Sequence, residues 1–564
     1  MIAQRQRSPR PAAALRVDRR DRLYTRAVRT RLASQFDEWM AGSPLRHGPY
    51  RRYYLGSVAA ALGYTMQATV AAWLMATITP SALTVALVQT ASTLPSVVFG
   101  LVAGSLADIV DRRRVIVFTQ YALAAATAAL GVAVMLDVVG PAVLLAVTFL
   151  IGAAFAFYLP PASAIVNDLV TRAELARAVT LGAVAFNLAR AIGPAFAGAL
   201  VAYAGSGSTL LVAALGFCAM ALAMHRQPPT PRPIPGVPEK LLSGILSGLR
   251  YARHSAPLRA YIIRNLSFSI CASSIWALLP LVARDQLALG AGGYGTLVAS
   301  FGVGAIVGAL SIPRQLRQVS LNRLVDSGVM LCAAATLLLA LTDAQPLALI
   351  GTFGAGAAWV SVLASLSTGT QSAAPAWVRA RAVATNLVTN QASLAFGSIL
   401  WGAVASATGT RTALLASVAA MVVLQVLNRR VRVAMVDEAD VVPGDRLPDL
   451  ELHDEPLPDD GPVLIQIDYR IDAPLRGDFL RAVHAVEPVR RRNGAVSWRV
   501  FRDLEQDGRY VERFIIASWA EYVRLRSRMT AADRRLLDKV DRHQRAGTPI
   551  GVSRFIGLDE DEVR

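Results

Sequence analysis

The chain has 564 residues, of which 54% are hydrophobic and only 17% charged, with a mean hydropathy of +0.43. A soluble domain carries roughly 25% charged residues, so a wholly water-soluble protein is excluded, and the length suits a polytopic membrane protein with one modest soluble domain. The net charge of +18 rests on arginines that flank apolar stretches, a placement that fits anionic lipid and membrane orientation and sets nucleic acid aside.

Residues 1–54 are Arg-rich without an apolar core, so they do not read as a secretory signal peptide. From Arg16 to Met40 two readings stay open, a basic helix on the inner leaflet and plain disorder. Twelve apolar stretches follow, each long enough for a membrane helix of ~20 residues. They fall near 55–78, 83–107, 115–136, 141–161, 177–203, 207–225, 260–283, 293–313, 323–342, 345–370, 382–406 and 410–429.

The loops alternate in charge. One set holds Arg112 to Arg114, Arg172 and Arg177, the stretch 226–259, Arg314, Arg317 and Arg323, then Arg379 and Arg381. The other set is short and nearly neutral, with Arg284 beside Asp285 as the main exception. Basic loops stay inside, so the pattern predicts an even number of spans and both termini in the cytoplasm. The protein is thus expected in a bacterial cytoplasmic membrane, with the lipid bilayer as its first partner.

The spans divide into bundles of six, 55–225 and 260–430, joined by a cytoplasmic linker (226–259). Its Pro-rich part begins at His225, and Glu239 to His254 reads as an interfacial helix. Two repeats about a central site are the expectation. An acidic, Pro-containing linker (431–460) leads to an α+β region (461–560). There Val463 to Arg470 is strand-like, 474–492 helical, Val496 to Phe501 a strand and Asp507-Gly508 a hairpin turn. Tyr510 to Ser518, helices near 519–529 and 531–545, and a strand near 550–556 complete a β-α-β-β-α-β order, which is ferredoxin-like. The fold class is therefore an all-α polytopic membrane protein of 6+6 helices with a C-terminal ferredoxin-like α+β domain.

Cys218, Cys271 and Cys332 lie far apart in apolar stretches and read as small buried hydrophobes. No metal-ligand spacing, cofactor motif or phosphate-binding Gly-rich loop is present. No catalytic constellation is specific enough to assign.

The loop Gly104-Ser-Leu-Ala-Asp108-Ile-Val-Asp111-Arg112-Arg113-Arg114 resembles the signature between the second and third helices of the major facilitator superfamily. The resemblance implies a twelve-helix fold, with Gly104 allowing close packing and Asp108 and the arginines latching the two halves in one conformation. Ile109 stands where the family has Arg, and Asp111 where it has Gly, which keeps the charge pattern and alters the detailed latch. In the fifth span, Arg190-Ala-Ile-Gly193-Pro194-Ala-Phe-Ala-Gly198 resembles the Gly-Pro motif of the superfamily's exporters. Together with Leu159-Pro-Pro-Ala-Ser, these motifs resemble the bacterial branch of transmembrane secretion effectors that includes the enterobactin exporter. Trp498, Tyr510 to Phe514 and Ser518 to Tyr522 are similar to the antibiotic-biosynthesis-monooxygenase type of appended domain. These likenesses imply secondary active export of a small amphiphilic metabolite, siderophore or drug, with protons as coupling ion. Import by the same fold stays open, as do ligand sensing and an oxygenase-like C-terminal enzyme in which His484 serves as base beside Trp498, Trp519 and Tyr522. A homodimer through that domain is the expected protein contact.

Arg190 lies near the middle of its span, where an Arg costs ~2.5–3.5 kcal/mol on insertion scales. Two readings stay open, a contact to cargo and a structural tie. Gln67, Asn187, Asn265, Trp276, Trp359, Asn386, Asn390 and Gln391 are the other candidates for the cavity wall, against a role as interhelical glue. Arg264, nearer a span end, is expected to snorkel. No Asp or Glu falls at the centre of a span.

Overall fold

The computed structural model describes residues 43–227, 241–442 and 456–557. The stretch from Arg16 to Met40, read as a basic helix or as disorder, the Pro-rich stretch 228–240 and most of the acidic linker lie outside the described residues.

The first bundle comprises α1 (Gly48–Ile78), α2 (Ala82–Ile109), α3 (Arg112–Met135), α4 (Pro141–Leu169) and α5 (Leu175–His225). Gly205 interrupts α5 at φ 83°, a left-handed conformation that glycine adopts without steric cost. After α6 (Leu241–His254) come α7 (Ala256–Leu281), α8 (Ala291–Gln318), α9 (Leu321–Leu341), α10 (Gln345–Ala373), α11 (Arg379–Thr408) and α12 (Thr410–Leu427). Local chemistry sets several starts. Ser81, Asp111 and Ser320 cap α2, α3 and α9 through their side-chain oxygens, and proline occupies the first turn of α1, α4, α7 and α10.

Ten helices among the described residues are long and apolar enough to cross a bilayer. The 51-residue α5 counts once among them although it breaks at Gly205. The 30-residue α11, interrupted by Asn386, Asn390 and Gln391, is not one of the ten. Phe118, Leu215 and Leu310 stay 75%, 66% and 69% exposed, so the outer surface is apolar, as a lipid-facing surface must be.

The buried core shows how the bundles meet. At the end away from the Arg112–Arg114 loop a single apolar cluster runs across both bundles, from Met66 to Val88 on one side and from Ala277 to Val298 and Trp401 to Leu414 on the other. At the basic end there are two clusters, one around Tyr50, Tyr158 and Phe217 and one around Tyr261, Val325 and Leu366, each confined to its own bundle. The molecule is closed at one end and parted at the other.

Beyond α12, the chain tucks back under the second bundle. Val433 N donates to Asn322 Oδ1 at 3.1 Å, and Tyr261 donates its hydroxyl to Ala434 O. The C-terminal region then forms β1 (Val463–Arg470), α13 (Arg476–Arg492), β2 (Ala495–Arg502), β3 (Arg509–Ile516), α14 (Trp519–Arg528), α15 (Ala531–Asp541) and β4 (Gly551–Ile556). Their pairing is antiparallel in the order β2-β3-β1-β4. Alternate residues of β1, from Val463 to Tyr469, are buried with Phe479, Val483 and Val486 of α13, the period-two pattern of a sheet covered on one face.

This domain is docked on the basic end. Arg250 of α6 reaches Glu521 at 3.4 Å, and Arg492 lies over the Tyr251 ring at 5.6 Å. Tyr251 in turn meets Trp377 edge-on, and Arg528 covers Trp377 at 4.3 Å. A Cβ on Gly248 would lie 2.9 Å from Arg381 Cβ, so α6 is pressed against the start of α11. In α6, Tyr251 is buried whereas Leu249 is 55% exposed.

Candidate functional site

Pro194 has no N–H for the carbonyl four residues earlier, which is that of Arg190. Helix α8 closes on this gap. A Cβ on Gly302 would lie 2.8 Å from Arg190 O and 2.5 Å from Ala191 Cα. Further along the same helix, a Cβ on Gly295 would fall 2.5 Å from Pro194 O, and one on Gly198 would fall 2.6 Å from Ala291 O. Glycines on both helices thus bring the backbones of α5 and α8 into contact. Gly193 faces the other way: a Cβ there would overlap Thr65 Oγ1 of α1. Trp73 stacks on Tyr294 at 5.7 Å, Leu83 N donates to Ser406 Oγ at 2.8 Å, and Arg284 donates to Thr79 O at 3.2 Å. These contacts close the end away from the basic loops.

Arg190 lies just below that seal. Its guanidinium sits over the Trp276 ring of the second bundle, 6.0 Å from the centroid. Trp276 packs edge-on against Phe301 (4.6 Å) and Trp359 (6.1 Å), and Trp359 tilts on Phe268 (5.8 Å). From the first bundle, Tyr64 stacks on Phe155 at 4.0 Å. A cavity of about 330 Å³ runs from Phe155 towards the basic end between α1, α4 and α5, with Tyr53, Tyr158 and Phe186 in its wall. Gln120 also lines it, and its buried Oε1 has no partner among the described residues. Gln67 Nε2 is likewise buried without a partner among the described residues.

The structure therefore brings Arg190, Trp276 and Trp359 together. It places most of the candidate amides elsewhere. Asn265 Nδ2 donates to Asn386 Oδ1 at 2.5 Å, Ser269 donates to Asn265 Oδ1 at 2.8 Å, and Asn390 donates to Ser269 Oγ at 2.8 Å. This network ties α7 to α11 inside the second bundle. Asn187 turns back to Ala183 O at 2.8 Å, and Gln391 is half-buried on α11. Tyr64, Phe155, Phe301 and Gln120 were not singled out from sequence, because an aromatic or amide in an apolar run has no periodicity that separates cavity wall from core.

Arg264 corrects the sequence expectation. It does not snorkel but is 3% exposed. It donates to Asp326 Oδ1 at 2.8 Å, Gln425 Oε1 at 2.9 Å, Val431 O at 3.0 Å and Asn322 Oδ1 at 3.3 Å. Asp326, in the second turn of α9, supplies the countercharge that makes burial tolerable.

The signature loop stays within the first bundle in this conformation. Arg112 pairs with Asp168 at 3.0 Å, and Arg113 donates to the carbonyls of Met224 (3.0 Å) and His225 (2.6 Å). Asp111 accepts from Arg113 N at 2.9 Å and lies 3.9 Å from Arg114. A Cβ on Gly104 would meet nothing within 4 Å, so the close packing expected there is absent where the bundles have parted. Asp108 falls in the last turn of α2.

In the C-terminal domain the deepest charge is Glu512. Its carboxylate accepts from Arg490 Nε (2.9 Å), Arg490 Nη2 (3.3 Å), Trp498 Nε1 (2.8 Å) and the Tyr469 hydroxyl (3.0 Å). Burial pushes its pKa up, but the charge and hydrogen bonds of Arg490 outweigh that and hold it below the ordinary carboxylate value. Four donors fill a carboxylate's acceptor sites. His484 is exposed and bonds its own helix at Leu480 O, while Trp498, Trp519 and Tyr522 are buried in the core.

Two helical bundles meeting around a central site, closed at one end and parted at the other, define a major facilitator transporter. The chain belongs to the transmembrane secretion effector family, whose model matches residues 40–562. The multidrug efflux pump Tap of Mycolicibacterium fortuitum is 26% identical over 392 residues, 68% of this chain and 95% of that protein. Among solved structures, a point mutant of the nucleoside transporter NupG superposes with a TM-score of 0.58 at 14% identity, over 68% of this chain and 99% of that one. An inward-facing, occupied bacterial homolog of the human lysosomal transporter Spinster gives 0.56 at 14% identity, over 69% and 97%. At these identities the structures speak for the fold alone.

Proposed function

We propose that this protein exports a small amphiphilic molecule across the bacterial cytoplasmic membrane by alternating access. The observation that carries the reading is Arg190 over Trp276: a cation and an aromatic wall from opposite bundles, next to the Gly198–Gly295 seam that closes one end. Tap is a multidrug efflux pump, and that likeness supports the direction. Counting α5 as two spans about Gly205 and including α11 gives twelve, six on each side of α6. With basic loops inside, the parted end is cytoplasmic and the conformation faces inward.

Cargo enters between the bundles, meets Phe155 and Tyr64 on one side and Trp276 and Trp359 on the other, and contacts Arg190. Gln67 and Gln120 offer unpaired amide groups in the first bundle. In the outward-facing state α5 and α8 separate at the glycine seam, and the Asp108–Arg114 loop meets the second bundle as a latch. The C-terminal β-α-β-β-α-β domain is ferredoxin-like and acts as a regulatory or dimerising module, since its buried carboxylate has no acceptor site left for a substrate.

The test is efflux of a panel of drugs, siderophores and dyes from cells stripped of their own exporters. Arg190→Ala and Arg190→Lys are assayed beside surface expression. Export of at least one compound by the parent, weakened in Arg190→Ala, is expected. Wild-type efflux in both variants removes Arg190 from the site, and accumulation instead of loss reverses the direction.

A further inference from the structure

Two arginines within the spans, one buried and one half-buried, have opposite surroundings. Arg264 is matched by Asp326, Asn322 and Gln425. Arg190 has no carboxylate within ion-pair distance among the described residues, and its guanidinium rests on an indole face. Among the described residues of the helical region, every Asp and Glu lies in a loop or near a helix end; Asp326, the furthest inside a helix, is already engaged. Arg190 is half-buried; a cation held partly away from water with no counterion is costly, and a cation–π contact offsets only part of that. The empty site therefore carries a net charge of about +1 with no carboxylate among the described residues to neutralise it.

We propose that the cargo is an aromatic organic anion that serves as the counterion of Arg190, and that the membrane potential drives its export without proton exchange. This rests on the transport reading above. Anion and guanidinium together are neutral, so the loaded carrier crosses the field at little electrical cost. After release outside, the empty site returns carrying its positive charge inward, and an inside-negative potential pulls it in that direction. One negative charge leaves per cycle. Moving one charge through 100 mV corresponds to ~2.3 kcal/mol, a concentration ratio of roughly 50-fold. The scheme needs no protonatable group at mid-membrane, which agrees with the absence of a carboxylate there. A cationic cargo faces Arg190 as a like charge and is rejected.

The full-length protein is reconstituted into potassium-loaded liposomes with valinomycin setting the potential. The probes are 2-naphthalenesulfonate and N-methylquinolinium, two-ring ions of similar size and fixed opposite charge. Naphthalenesulfonate is expected to accumulate on the positive side, approaching roughly 50-fold at 100 mV, and to show no accumulation under a pH gradient alone. Arg190→Lys keeps this response with a higher KM, whereas Arg190→Gln, verified as monodisperse, loses it. Uptake of N-methylquinolinium, or naphthalenesulfonate accumulation driven by the pH gradient at zero potential, overturns the proposal while leaving transport intact. Flux of neither ion overturns it as well, and the cellular efflux panel then decides whether the transport reading falls with it.

Discussion

The guanidinium of Arg190 lies over the indole of Trp276, 6.0 Å from its centroid, and the two residues come from opposite bundles. Trp276→Leu removes both the ring face under Arg190 and the edge contacts to Phe301 and Trp359. A loss of about 0.5–2 kcal/mol is expected, read as a rise of roughly 2- to 30-fold in the KM for efflux. Trp276→Phe, which keeps a ring, is expected to fall between the two, with surface expression equal in all three.

The α5–α8 seam has no room for a side chain. A Cβ on Gly295 would sit 2.5 Å from Pro194 O and 2.9 Å from Gly198 Cα. Gly295→Val therefore destabilises the closed end, by about 1–3 kcal/mol of overpacking, and shifts the population towards the state in which that end is open. An impermeant thiol reagent added from that side reads the shift through a cysteine placed at Val298, which is 6% exposed here. Faster labelling is expected in the valine variant, against a background in which Cys218, Cys271 and Cys332 are replaced. Unchanged labelling rules out the seam as the gate.

Breaking the Arg264–Asp326 pair leaves a buried cation with only neutral partners. Because Asp326 retains 34% of its side-chain exposure, the cost of Asp326→Asn is set at about 1–3 kcal/mol, below the value for a fully enclosed pair. Heating the detergent-solubilised protein and scoring the monodisperse fraction measures it. The double variant Arg264→Leu, Asp326→Leu is expected to recover part of the loss, since no charge is then left unpaired.

Glu512 gives the soluble domain a defined response to acid. Its folded pKa lies below the unfolded value of ~4.3. Its contribution is thus complete above that value and is lost only as the pH falls through the depressed one. Hydrogen exchange of segments 463–470 and 495–516 in the full-length protein is expected to show no Glu512-dependent change from pH 8 to 5. Glu512→Gln, which strands Arg490 in the core, is expected to cost about 3–5 kcal/mol of protection at neutral pH. An equal loss of protection in α1–α12 would mean that the domain is not an independent folding unit.

Much of the architecture was legible because it depends on length, hydropathy and loop charge. The strands and helices of the C-terminal region lie close to the positions read from alternation and from the Asp507-Gly508 turn. What was not legible depends on meeting across the fold. Arg264 is close to a span end, so its sequence reads as snorkelling; only the three-dimensional proximity of Asp326, far along the chain on another helix, makes burial the better state. Asn265, Asn386 and Asn390 read from sequence as cavity wall or as interhelical glue; in this conformation they bond to one another between α7 and α11. Gly302, in an unremarkable apolar run, gained its meaning from Pro194 on another helix.

Helix α6 is by sequence the join between the bundles, yet its described contacts run to α11 and to the C-terminal domain through Gly248, Tyr251 and Arg250. The second bundle, the connecting helix and the C-terminal domain are thus packed against one another through α6. A spectroscopic label on the C-terminal domain is expected to report the attitude of the second bundle.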